Sequence, residues 1–172
     1  MTKENHNTIY SRRWNGIQRR IGITGGIASG KSSVGTFLKE TKGIHLLDAD
    51  VYAHEALAPN QIATMAVIKR YGKKVIDQQQ TQPLTLNRAL LGTIIFSDPQ
   101  ERLWLEELVH PIVKKRLHKE LHKKKNLSSV ALIIPLLFEA KLNNLCSEIW
   151  VIKCNLEQQY KRLIKRDGLS EL

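Results

Sequence analysis

A chain of 172 residues, 42% hydrophobic and 25% charged, has the composition of one soluble globular domain with enough apolar material for a core. No apolar run approaches the ~20 residues of a membrane helix, and two cysteines, Cys146 and Cys154, exclude a disulfide framework and are expected as buried thiols in the cytoplasm. The net charge of +11 attracts anions but does not say whether the anion is a nucleotide, a coenzyme or a nucleic acid.

Residues 1–19, polar and basic with no apolar signal region, read as a flexible tail. Four short continuous apolar runs, at 21–24, 44–47, 130–135 and 149–153, read as strands covered on both faces. Helical patterns lie between them. One over 31–39 follows the first strand, and one over 50–58 follows the second and stops at Pro59. Helices are also predicted over 62–71, closed by Gly72, and over 84–96, with a polar loop beginning at Asp77 between them. Over 99–122, Leu105, Leu108, Ile112, Leu117 and Leu121 mark a buried stripe, and Pro111 implies a kink or a restart. A last helix is predicted over 156–166, followed by Gly168.

Strand, helix and strand in this order predict a parallel α/β sheet. About 70 residues of helices separate strands two and three, far more than an ordinary crossover needs. The expected division is therefore a nucleotide-binding core at 20–58 and 126–155 with an all-helical insertion at 59–125 forming its own lobe.

The first strand runs into Gly25-x-x-x-x-Gly30-Lys31-Ser32, a phosphate-binding loop without a mismatch. Glycines let the backbone turn its N–H groups onto phosphate oxygens. Lys31 reaches the β- and γ-phosphates, the Ser32 hydroxyl can coordinate Mg²⁺, and the helix that begins there adds its positive end. The loop alone does not separate a kinase from an ATPase or a GTPase, although no guanine-reading Asn-Lys-x-Asp run accompanies it.

"IHLLDAD" places Asp48 and Asp50 at the carboxyl end of strand two, where α/β sheets bind ligands. If both lie on the strand, their side chains share a face. One acid would then order a metal's water shell while the other orients an attacking hydroxyl. The alternative is a helix cap, with Asp50 preceding "VYAHEAL". The basic run 114–125 reads as a solvated helix face, with coenzyme-phosphate or nucleic-acid contact as alternatives; no aromatic residue interleaves it, so no nucleic-acid partner is expected. Arg162 and Arg166, four apart on the last helix, either reach phosphates or pair with Glu157 and Asp167.

Four stretches in this order, "GITGGIASGKSSV", "LLDADVYAHE", "LNRALLGTIIFSDPQERLWLEELVHPIV" and "IPLLFEAKL", resemble the dephospho-coenzyme A kinases from about Arg20 onward. The resemblance implies a three-layer α/β/α fold like that of the P-loop nucleoside kinases, a helical coenzyme-binding insertion, and a lid at 156–172. It implies ATP-dependent, Mg²⁺-dependent phosphorylation of the ribose 3′-hydroxyl of dephospho-coenzyme A, the last step of coenzyme A synthesis. Gly25, Gly26, Ala28, Ser29, Gly30, Lys31, Ser32 and Ser33 would wrap the ATP phosphates, with Ser32 and Asp48 at the metal. Asp50 would act on the 3′-hydroxyl, and Lys31 and Arg162, with Arg166 on the lid, on the transferring phosphoryl group. His54, His110, Leu136, Leu137 and Glu139 would line the substrate cleft with Asp48 and Asp50. His54 stands where the family often has arginine, exchanging a fixed charge for one mostly absent at pH 7; a surface role is the alternative. Family members run a few dozen residues further, to a return helix and a fifth strand. A catalytically weak ATP-binding remnant is therefore the second expectation beside an active kinase.

Overall fold

The apolar runs become four parallel strands, β1 (Arg19–Gly25), β2 (His45–Asp48), β3 (Ser129–Ile133) and β4 (Glu148–Ile152), hydrogen-bonded in the order β2-β3-β1-β4. The structure, a computed structural model, describes residues 14, 16–77 and 83–167. Most of the expected tail, most of the polar loop after Asp77, and Gly168 onward lie outside them. The two central strands are the most buried, with Ile21, Ile23, Val130, Ala131 and Leu132 inaccessible to solvent. β3 stops before Pro135, which has no N–H to give a neighbour. The last rung is the Ile134 amide donating to Ile23 O at 3.0 Å.

Six helices accompany the sheet: α1 (Lys31–Lys42), α2 (Ala49–Ala56), α3 (Ile62–Tyr71), α4 (Arg88–Ser97), α5 (Pro99–Lys123) and α6 (Leu156–Asp167). α1 covers one face, packing Leu38 on Ile21, Ile23, Ala131 and Ile133. It approaches closely because Gly35 has no side chain; a Cβ there would sit 2.6 Å from Ile133 Cδ1. α2 to α5 cover the other face, which completes the three layers. One buried cluster runs from Leu47, Val130 and Leu132 of the sheet through Leu117 and Val113 of α5 to Val67 of α3 and Leu91 of α4. The helical insertion thus shares its core with the sheet.

Two departures from the sequence reading have local causes. The helix expected from residue 84 begins at Arg88, because Leu86 pairs with Ile76 in an isolated antiparallel bridge and Asn87 caps the helix, its side chain accepting from the Leu90 amide. α5 passes through Pro111 as one helix, without a restart. Its inward stripe is Leu105, Val109, Val113, Leu117 and Leu121, spaced by four. Leu108 and Ile112, expected on that stripe, are only partly buried beside it.

α3 is fastened to the first turns of α5 by one polar knot. Arg70 donates to both carboxylate oxygens of Glu101, at 2.7 and 2.9 Å, and the Tyr71 hydroxyl donates to the same group at 2.5 Å. The Arg70 guanidinium lies 4.5 Å over the Trp104 ring, whose edge meets Tyr71.

Candidate active site

The phosphate loop is a turn with backbone in the left-handed region. Gly25, Ala28 and Gly30 have φ of 146°, 52° and 107°, and a Cβ on Gly25 would lie 2.2 Å from Ile152 O of β4. α1 then starts at Lys31, after Gly30, with no side-chain cap and no acid in its first turn, so its first amides are left for an external anion. Ser29 Oγ is buried beneath the loop without a hydrogen-bond partner. Lys31 Nζ donates to Gly25 O at 3.0 Å and Gly26 O at 2.8 Å, folded onto the loop it serves. Burial lowers the Lys31 ammonium from its ordinary value, against the pull of Asp50 and Asp48. Ser32 and Ser33 are exposed on the first turn of α1.

The two acids do not share a strand face. β2 ends at Asp48, which caps α2 by accepting the Asp50 amide at 2.9 Å, and Asp50 sits in the first helical turn. The capping role expected for Asp50 thus belongs to Asp48. The Asp48 charge still bears on Asp50. Desolvation, then Asp48, pushes the Asp50 carboxyl above its ordinary value, opposed by Lys31 and His54.

Beside Asp50 opens a cavity of about 530 Å³, walled by α2, α5 and the turn after β3. Its walls are mostly apolar, with Ala53, Leu57, Leu105, Val109 and Leu142 among them, and Glu106, Glu107, His110 and Lys114 bring polar groups to the same lining. Pro111 also lines it, and having no N–H it leaves the Glu107 carbonyl without its helical partner. His110, expected at a substrate cleft, lines this cavity. Of the "PLLFE" turn, Leu136 lines the cavity, whereas Leu137 is fully buried in the core and Glu139 is exposed outside the lining. Of the floor expected from Leu136, Leu137 and Phe138, with Glu139 bonding across it, only Leu136 is in the lining. The turn is held to the loop strand by Thr24 Oγ1 donating to Pro135 O at 2.9 Å.

α6 brings a guanidinium onto the loop from the other side. Arg162 Nη1 donates to Ala28 O at 3.1 Å and reaches Cys154 Sγ at 3.7 Å. Arg166 is exposed one turn further along. Cys146 is buried as expected, but Cys154 is half-buried against the loop. Two cations of the basic run, Arg116 and Lys123, are paired by Glu120 of the same helix.

His54, exposed on α2, is in contact with Arg88 of α4, a residue that sequence reasoning passed over. The two lie 34 positions apart and no motif links them. Gln159 was missed likewise; its Nε2 lies 3.3 Å from where a Cβ on Gly26 would be.

The family model for dephospho-CoA kinase (CoaE) matches residues 19–172. A dephospho-CoA kinase of Prochlorococcus marinus is 54% identical over 160 residues, which are 93% of this chain and 76% of that protein. Among solved structures, TT1252 from Thermus thermophilus superposes with a TM-score of 0.71 at 33% identity, covering 89% of this chain and 74% of its own. A dephospho-CoA kinase from Campylobacter jejuni gives 0.61 at 26% identity, covering 88% and 74%.

Proposed function

This chain belongs to the dephospho-CoA kinase family, and from that premise we propose which of its residues carry the reaction. The activity is transfer of the γ-phosphoryl group of ATP to the ribose 3′-hydroxyl of dephospho-CoA, giving CoA and ADP, the final step of CoA biosynthesis. The observation that carries the residue assignment is the placing of Asp50 between the phosphate loop and the cavity.

Residues Gly25 to Ser33 bind the ATP phosphates through backbone amides and the α1 N-terminus. The uncapped helix start, the left-handed glycines and the unpaired Ser29 hydroxyl all fit that cargo. Lys31 leaves the loop carbonyls for the β- and γ-phosphates, exchanging neutral acceptors for charged ones. The donor set also fits Mg²⁺, a hard cation that takes oxygen ligands from one or two side chains and from substrate phosphates. Ser32 Oγ and the Asp48 oxygen not engaged in the cap would hold it. When bound, Mg²⁺ neutralises charge on the β- and γ-phosphate oxygens.

The cavity receives the acceptor, with His110 and Leu136 in its lining, His54 exposed on the helix beside it, and the 3′-hydroxyl against Asp50. The Asp50 carboxylate takes the proton as the 3′-oxygen attacks phosphorus, the bond to the bridging oxygen of ADP breaks, and the leaving charge falls to Lys31. Arg162, carried by the lid helix and already on the loop, stabilises charge on the equatorial oxygens, with Arg166 a turn behind. Residues 20–58 and 126–155 hold the donor, 59–125 shape the acceptor site, and 156–172 form the lid. The cytoplasm, where ATP is at hand, is the compartment this reading requires. The alternative, an inert ATP-binding remnant, has no observation behind it.

Asp50→Asn tests the assignment. It keeps the shape and removes the base, so kcat should fall by about 10²- to 10⁴-fold with ATP affinity unchanged, as read by steady-state rates and titration. A variant that keeps the wild-type rate removes Asp50 from the mechanism.

A further inference from the structure

We propose that this chain has a second ligand site, at the amino end of its sheet, which takes an alkyl chain ending in a carboxylate. The site is a recess of about 450 Å³ between the end of α1 and the starts of the strands, a volume within the ~300–1,000 Å³ usual for small-ligand pockets. Arg19 and Ser129, which open β1 and β3, line it, as does Lys42, which closes α1. The strands are all parallel, so these residues lie at the end of the sheet opposite to the crevice that holds Asp50.

The lining divides into two chemistries. Its apolar part includes Ile21, Leu38, Ile44 and Trp150. Ile21 and Leu38 belong to the buried cluster beneath α1, while Ile44 and Trp150 pack against that cluster and stay partly open. Such a surface favours an alkyl chain over water. The polar part includes Arg19, Lys42 and the serines 128 and 129. Arg19 donates to Glu148 through Nε alone, at 2.5 Å, so its two Nη groups keep no partner among the described residues. No carboxylate among the described residues pairs with Lys42. Glu148 is engaged by Arg19 and by Trp150 Nε1, which donates to it at 3.3 Å.

Positive charge dominates this end of the molecule. Burial, then Lys124 and Lys39, against Glu120, lower the imidazole of His45, the first residue of β2. A guanidinium with free N–H groups matches the planar carboxylate, Lys42 adds a point charge, and the serine hydroxyls can donate. A nucleic-acid backbone would leave the apolar part uncovered. A membrane surface would not reach it, because Ile21 and Leu38 are recessed rather than protruding.

The test is calorimetric titration of the whole chain with decanoate, beside decanol as the tail alone and acetate as the head alone. Decanoate should bind once per chain, with decanol and acetate each at least about tenfold weaker, and its affinity should fall as salt rises. Lys42→Ala should weaken decanoate about 10- to 100-fold, the loss expected for a charge-assisted hydrogen bond. Ser128→Trp should block the recess from its exposed edge and abolish binding. Both variants should keep the melting temperature and the kinase rate of the unaltered chain. Saturating dephospho-CoA should leave decanoate bound. Equal affinity for decanol, or binding that neither variant disturbs, overturns the site. Displacement by dephospho-CoA also overturns it, by moving the ligand to the cavity beside Asp50. So does the lack of saturable binding, including the case in which a second copy fills the recess and sedimentation shows a dimer.

Discussion

Asp50 must work as a carboxylate where its surroundings favour the acid. Desolvation and the adjacent Asp48 raise it above the ordinary value of 3.8, and two consequences follow. The acid limb of kcat/KM should lie at a higher pH than an unperturbed carboxyl would give. The folded chain also holds its Asp50 proton to higher pH than the unfolded chain does. Stability therefore falls as pH rises from 3.8 to the folded value, and above that window the ionised group is a constant cost. Asp50→Asn should then melt at a higher temperature than the unaltered chain at pH 7, with the gap closing toward pH 4. Thermal denaturation followed by circular dichroism measures this, and a variant that melts lower at pH 7 contradicts it. At this scale the sequence was legible wherever chemistry is local. The loop residues and the Asp48–Asp50 pair could be read from their spacing. The contact between Arg88 and His54 could not, because it is made only when α4 folds against α2.

At the scale of elements, strands were legible to within two residues at either end, because a continuous apolar run has one way to be covered on both faces. Helix starts fell within one residue except at α4. The apolar Leu84 and Leu86 continue the pattern of α4 backwards, but Leu86 is spent on a bridge with Ile76 and the cap falls at Asn87. The second strand and its acids misled for the same reason, since Asp48 ends β2 and begins α2 at once. The insertion's own joint is polar. Arg70, Tyr71 and Glu101 tie α3 to α5, and hydrogen bonds from Arg70, then from Tyr71, hold the Glu101 carboxyl at about 2, below its ordinary 4.5. A depressed carboxyl stabilises the fold fully above its unfolded value. That contribution disappears as pH falls from 4.5 toward 2. Glu101→Gln should therefore lower the melting temperature at pH 7 and flatten its fall over that acid range. An acid limb as steep as that of the unaltered chain contradicts this role.

At the scale of the molecule, the site lies where three parts meet: the loop after β1, the start of α2 after β2, and the turn after β3. Strand order makes this possible. With β1 and β3 side by side at the centre and β2 next to β3, the carboxyl ends of all three strands open on one crevice. Strand order is not written in any one segment, so the sequence implied a shared crevice without showing which strand lies beside which. The shared core was hidden too, because a long helical stretch reads as a separate lobe until Val67, Leu91 and Leu117 are found packed in one cluster with Leu132. The central claim is that the loop, Asp50 and the cavity form one site that passes phosphate from donor to acceptor. The most direct measurement follows label from γ-labelled ATP in the presence of Mg²⁺, dephospho-CoA and the purified 172-residue chain. The account predicts label on the 3′-oxygen of newly formed CoA, mole for mole with ADP. ADP released with free phosphate and no label on the acceptor would contradict it.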